Sequence, residues 1–397
     1  MSVRARVLMT VVIAACTYDR PTLVDDAAGA IDSALGPDAT AADAGTPCAT
    51  DPECPSQVCS PDGCVAPSAV RYVGPIGSDS GQCTQREPCS TIARALAVHG
   101  TPAYVSIAFG SYPASVVINP LHQAEPAFDV WLIGSGPLRP VVLATDDGSN
   151  RDGLEVYRGA VHLRHLEVRG SLSNTASDAI WTDVGTTVTL DDVVVSSARN
   201  DGFECNDCTL VADRSIFRGN ARLGLRAVSG SVTVRGSQFR NNAGGGAELS
   251  GDDCTVTSSL FVDNGNDTAA FGGASLSCTT HRFDGNTLAG NRATTTAAVG
   301  VRCLSAATTV NRNNLFDHPS TAGTSCSYEH SLFSAGVPPP GTGNRIGAPG
   351  FTGDYHITPT SPAYANGTSA GIGPFETDLD GEPRIQGRLD IGADEIP

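Results

Sequence analysis

DGFECNDCTLVADRSIFRGNARLGLRAVSGSVTVRGSQFRNNAGGGAELS, residues 201–250, is a sequence that repeats itself. Asp201-Gly202-Phe203, Leu223-Gly224-Leu225 and Gly245-Gly246-Ala247 follow one another in steps of 22, and Gly272-Gly273-Ala274 and Val299-Gly300-Val301 continue in steps of 27. A second marker keeps the same steps: Phe217, Phe239, Phe261 and Leu288 each precede by three residues Asn220, Asn242, Asn264 and Asn291. Two independent markers with one period make each repeat a structural unit stacked on its neighbours.

After each glycine the chain alternates with the period of a strand, which turns Leu154/Val156, Ile180/Thr182, Phe203/Cys205, Leu225/Ala227, Ala247/Leu249, Ala274/Leu276 and Val301/Cys303 inward. The following strand places Val161/Leu163, Val188/Leu190, Leu210/Ala212, Val232/Val234, Cys254/Val256 and His281/Phe283 in equivalent positions. Asn tolerates the left-handed turn conformation and can bond the same Asn of the next unit, so the Asn series predicts a corner ladder. Leucine-rich repeats share the period but require regular leucines, and helical repeats fail on the alternation. The predicted fold is all-β, a single-stranded right-handed parallel β-helix of about nine coils over residues 103–316, on the order of 45 Å long at ~4.8 Å per coil. The longer units place five extra residues in a turn.

Composition agrees with a turn-rich β protein: 397 residues hold 44 Gly, 25 Pro and 6% aromatics. A net charge of −17 with 25 cations sets nucleic acid aside as a partner. Every cation is Arg, which excludes Schiff-base and P-loop chemistry. Of 13 Cys, setting Cys16 apart leaves an even twelve, suited to disulfides in an oxidising compartment.

Arg4 and Arg6, the apolar run Val7 to Ala15, and Ile13-Ala14-Ala15-Cys16 follow the order of a secretory signal and resemble a bacterial lipobox. The resemblance implies a lipoprotein signal peptide (1–15), acylation of Cys16, membrane lipid as a partner, and export to a lipid-anchored place in the envelope, at the outer membrane or cell surface. Residues 16–46, rich in Asp and Ala, are predicted to be a disordered tether. Residues 47–66 carry Cys48, Cys54, Cys59 and Cys64, a disulfide-rich mini-module with three pairings open; its spacings lack the CxxC pairs of common zinc modules.

Residues 67–102 form an N-terminal cap in which Cys83 and Cys89 staple a loop and Ser90 N-caps a short helix carrying Ile92 and Leu96. RYVGPIGSDSGQCTQREPCSTIARALA, from Arg71, resembles the entry of pectate-lyase-like β-helices. The β-helix then occupies 103–335 and a closing segment 336–397. In that segment GAPGFTGDYHITPTSPAYANGT and DLDGEPRIQGRLDIGADE resemble the choice-of-anchor Q family of surface β-helix proteins, through Asp378, Gly381, Pro383, Arg384, Asp390, Ile391, Gly392, Ala393 and Glu395. Ala365 and Asp394 depart from that pattern, standing where an Asp and an aromatic are usual.

One residue beyond the inward positions runs an outward ladder of Glu155, Trp181, Glu204, Arg226, Glu248, Ser275 and Arg302, followed by Tyr157, Asp183, Asn206, Val228, Ser250, Ser277 and Leu304. Aromatic faces stack on sugar rings while carboxylates and amides bond hydroxyls, so Tyr157, Trp181, Asp183, Glu204 and Asn206 are the candidate glycan contacts. The plainer reading is a solvated face with Glu204, Arg226 and Glu248 in surface ion pairs. For cleavage, Glu155, Asp183 and Glu204 on adjacent coils are the candidate carboxylates. Against it, Asn174-Thr175 is followed by Ala176, no Gly-His-Gly occurs, and Asp191-Asp192 falls at a corner shared with Asp213-Arg214 and Arg235-Gly236. No acidic cluster joined to a basic residue stands out; no cofactor and no metal site is expected, apart from calcium that the acidic surface could hold without catalysis. Cys205, Cys208, Cys254, Cys278, Cys303 and Cys326 are expected as buried thiols or inter-coil bridges, with Cys205-x-x-Cys208 on a strand edge rather than at a redox site. The expected function is an anchored lipoprotein that binds a polysaccharide or surface molecule without catalysis, the alternative a polysaccharide lyase or glycoside hydrolase.

Overall fold

A computed structural model describes residues 46–397 except 114, 119–128, 146–151, 172, 174–175, 305–308, 320–325, 386 and 397. The signal segment, Cys16, nearly all of the tether and Asn174-Thr175 lie outside the described residues.

The alternating segments form strands that stack in parallel, coil on coil. The outward ladder pairs in the expected register, Glu155 with Trp181, Trp181 with Glu204, and on through Arg226, Glu248, Ser275 and Arg302. Ser275 is the exception to its outward exposure: it is buried, with its hydroxyl accepting from Arg302 at 3.1 Å. The second strand of each coil stacks likewise, Val161 on Val188, Leu210 and Val232. In two coils the first and second strands fuse, into Phe203–Asp213 and Leu223–Arg235. A third column, from Ser111–Pro113 to Arg345–Ile346, makes an eleven-stranded sheet among the described residues.

The predicted inward residues fill the bore; Phe203, Cys205, Leu225 and Leu249 are fully buried. Phe217, Phe239 and Phe261 stack at 4.8 and 4.5 Å with planes 5° apart. The Asn ladder closes as expected: Asn220 donates to Asn242 at 2.9 Å, Asn242 to Asn264 at 2.9 Å and Asn264 to Asn291 at 3.0 Å. The left-handed residue, however, is the one before each Asn: Gly219, Asn241, Asp263 and Gly290, with φ from 53° to 64°. That residue turns the chain, and the turn aims the next amide into the bore, where it satisfies buried polar groups of the adjacent coil.

Thr91, not Ser90, caps the helix Ile92–Ala97, because its hydroxyl accepts from the Arg94 amide at 3.1 Å while Asp79 takes the Ser90 and Thr91 amides. Ile92, Ala95 and Leu96 plug the first coil. Six disulfides join Cys48–Cys59, Cys54–Cys64, Cys83–Cys89, Cys205–Cys208, Cys254–Cys278 and Cys303–Cys326. Cys205 and Cys208 lie within a continuous strand and are buried, not at a strand edge.

Two irregular segments cover outer faces of the helix. Val58 and Val65 of the mini-module pack on Val70, Tyr72, Tyr104, Trp131 and Ile133. Ile357, Ala363 and Ile391 of the closing segment pack on Leu315 and Leu332, on the flank of the third column. The motif residues of that segment are structural: Arg384, 1% exposed, donates to the Gly392 carbonyl at 2.7 Å, and Glu395 accepts the Asp390 amide at 3.1 Å. Both departures are accommodated. Ala365 takes φ +55° and donates its amide to Asp390, and Asp394 accepts from the Ile357 amide and meets His356 at 3.1 Å.

Candidate functional site

The register places Trp181 between Glu155 and Glu204 on one outward row, each one strand spacing away. Tyr157 turns its ring edge toward Trp181 at 5.2 Å and donates its hydroxyl to Glu155 at 3.1 Å. Glu204 is held by Arg226 at 3.0 Å, Asp183 accepts the Val184 amide at 2.8 Å, and Asn206 donates to the Thr182 carbonyl at 3.3 Å. All the candidates from sequence therefore share one face. The backbones of Glu155 and Glu204 are two strand spacings apart, roughly 9.6 Å, just beyond the upper limit of about 9.5 Å for a pair of glycosidase carboxylates.

Behind this face lies a row that sequence reasoning missed. Asp152, Asp178 and Asp201 stand two residues before the inward Leu154, Ile180 and Phe203. Each carboxylate accepts the backbone N–H of the next coil, Asp152 from Asp178 at 2.6 Å, Asp178 from Asp201 at 2.8 Å and Asp201 from Leu223 at 3.0 Å. The signal was available: three successive coils keep Asp where later ones have Leu223, Gly245, Gly272 and Val299. The repeat masked it, since Asp201 reads as part of a turn marker.

Burial dominates the acidity of the row. It pushes Asp152 up to about 7, and burial together with the neighbouring Asp152 pushes Asp178 up to about 8. Asp201 moves the same way, again chiefly through burial. The second carboxylate oxygen of Asp201 is buried without a hydrogen-bond partner, with Arg222 at 3.5 Å.

Carboxylate oxygens of Asp178, Asp201 and Glu204 all lie within 4.8 Å of one another. Calcium–oxygen bonds are about 2.3–2.6 Å, so a single calcium ion could touch all three. A hard-oxygen set suits calcium over zinc. The mini-module cysteines, by contrast, are joined in disulfides, which uses up their thiolates. Asp191 and Asp192 sit at the predicted corner, where Asp191 aligns with Asp213 and Asp213 with Arg235.

A family model for the right-handed β-helix region matches residues 152–332. Among solved structures the chain is similar to pectate lyase Pel9A, at 13% identity and a TM-score of 0.56, over 83% of this chain and 96% of that one. No curated protein sequence matches. The fold is thus a right-handed parallel β-helix of the pectate-lyase-like kind.

Proposed function

We propose that this chain is an envelope-anchored binding protein, tethered through acylated Cys16, whose outer face around Trp181 binds a glycan without cleaving it. The observation that carries the reading is the Trp181 ring set in register between Glu155 and Glu204, with Tyr157 against it. A ring for the apolar side of a sugar and fixed acceptors for its hydroxyls make up the usual division of labour in such sites. Calcium at Asp178, Asp201 and Glu204 would neutralise the buried acids and offer an open position to a sugar oxygen. The disulfides support export, since such bonds persist in oxidising compartments.

The test is a glycan array on the full chain carrying Cys16→Ser, run with calcium and with a chelator, with each spot also assayed for new reducing ends and unsaturated sugars. Binding without products is expected, weakened at least about tenfold by Trp181→Ala, in line with the weight of a stacked aromatic. Calcium should bind more tightly as pH rises toward about 8, because it displaces the proton of Asp178, which burial and the neighbouring Asp152 push up to about 8.

One observation favours a second reading, cleavage. A carboxyl that keeps its proton near neutrality, as Asp178 does, has the property of a general acid. Product formation lost in Asp178→Asn, or in Glu155→Gln and Glu204→Gln, would replace the binding reading.

A further inference from the structure

At a different corner of the coil, a cavity of about 620 Å³ lies between the mini-module and the turns that follow the second strands. That volume falls in the range of small-ligand pockets. Pro52, Pro61 and the Cys48–Cys59 disulfide supply apolar wall on the module side. The helix side supplies Arg164, His165, Asp191, Asp192 and Arg214 from three successive corners. Three of these, His165, Asp192 and Arg214, hold left-handed φ of 51°, 58° and 48°, so their side chains are aimed by backbone that non-glycine residues adopt at a cost.

The polar groups are braced. His165 Nδ1 meets Asp192 at 2.6 Å, and Arg139 grips the same carboxylate and bonds the Asp192 carbonyl at 3.1 Å. Arg214 pairs with Asp191, whose other oxygen is 3.6 Å from Arg164. Arg164 also bonds the module, donating to Asp51 at 2.8 Å and to the Cys59 carbonyl at 3.0 Å. Pinning the module accounts for Arg164. It does not account for the Asp192–His165–Arg139 and Asp191–Arg214 groupings, which run from corner to corner.

Three guanidinium groups, Arg139, Arg164 and Arg214, face three carboxylates, Asp51, Asp191 and Asp192. A charged ligand would displace one of these pairs and leave a charge uncompensated. A neutral polyol would not: its hydroxyls donate to the spare lone pairs of Asp191 and Asp192 and accept from Arg214, while its C–H face rests on proline. We propose that this cavity is a second binding site, for a neutral sugar of one or two rings, held by Asp191, Asp192 and Arg214 and closed on one side by the mini-module. The site is independent of the Trp181 face.

The chain has two tryptophans, and Trp131 belongs to this side of the molecule, with the Arg164 guanidinium 5.5 Å above its ring and Val58 of the module in the same apolar cluster. Trp181→Ala in the full chain with Cys16→Ser therefore leaves one tryptophan, beside the cavity, and removes the aromatic centre of the other face. The probes are maltose, cellobiose, lactose and chitobiose, with digalacturonate as the charged control, followed by Trp131 emission and by saturation-transfer NMR. The expected result is saturable binding of at least one neutral disaccharide, weakened about tenfold or more by Arg214→Ala and by Asp192→Asn. Arg214 has 61% of its side chain exposed, so its truncation leaves the fold in place. Binding of no neutral disaccharide by either readout, tighter binding of digalacturonate, or unchanged affinity in Arg214→Ala would overturn the proposal.

Discussion

The two irregular flanks solve one problem in different ways. The mini-module and the closing segment each cover apolar residues on the outer wall of the helix with chain that has little ladder pairing of its own. The module is fastened covalently, by Cys48–Cys59 and Cys54–Cys64 across loops of 11 and 10 residues. Among the described residues the closing segment has no disulfide and is fastened by buried charge: Arg384, Asp378, Asp390 and Glu395 are each 3% exposed or less. A disulfide acts chiefly by restricting the unfolded chain, whereas a buried ion network holds only while every member keeps its partner. The first should be indifferent to mild changes of pH; the second should not.

The largest effect expected from this difference is at Arg384. Its guanidinium donates to the Gly392 and Asp390 carbonyls and lies 3.9 Å from Glu395. Arg384→Met keeps much of the volume, but leaves two carbonyls unpaired and a buried acid without its counter-charge. A loss of about 3–5 kcal/mol is expected in chemical denaturation. It should show as a separate early phase if the closing segment unfolds from the helix on its own. A loss under about 1 kcal/mol would mean that the motif residues do not fasten the segment.

Next in size is the module. Cys48→Ser with Cys59→Ser releases a loop of 11 residues, worth about 3 kcal/mol by chain entropy. That loss should be local. Hydrogen-exchange protection is expected to fall in residues 47–66 and on the outer face of Tyr104 and Trp131, and to stay unchanged in the Asn ladder coils. Loss of protection throughout the helix would show that the module, rather than the stacked bore, holds the first coils together.

What could be read in the sequence divides along the same line. The bore was legible because it is periodic: Phe217, Phe239 and Phe261, and the Asn series, occupy one place in each coil, so their spacing is the structure. The face around Trp181 followed from the same register. The flanks and the acidic row were not legible in that way. Whether Val58 meets Trp131, or the Asp51 carboxylate meets Arg164 across 113 residues, depends on how non-repeating chain folds back. Nothing in the sequence singles out Asp178 as buried, because turns and buried corners both favour Asp beside small residues, and only the stacked coils show that water is excluded there. The corner pocket was missed for a related reason. Asp191-Asp192 was placed correctly at a turn, yet the module that walls it in lies far away in sequence.

The smallest effect, and the sharpest test of the comparison, is pH. Burial raises Glu395 to about 7 and also raises Asp378 and Asp390, so the folded closing segment holds protons that the unfolded chain gives up near pH 4. His356 is also raised, because the carboxylates of Asp394, Asp380 and Asp354 around it outweigh its burial, so it favours folding while protonated and loses that contribution as pH rises through its folded value. Glu376, lowered chiefly by the hydrogen bond from Arg282 against its burial, works in the opposite sense, but only as pH falls toward its depressed value. Between about pH 5 and 8 the folded segment therefore binds more protons than the unfolded one, and its stability must fall as pH rises. In the mini-module the one carboxylate with a shift, Glu53, is lowered by its bonds to Ala49 and Thr50, so its change also lies below that window. Hydrogen exchange corrected for intrinsic rates should show residues 347–396 losing protection from pH 5.5 to 8 while residues 47–66 do not. Equal loss in both flanks would mean that the titrating groups are not what distinguishes them, and loss in the module alone would reverse the assignment of the covalent and electrostatic fastenings.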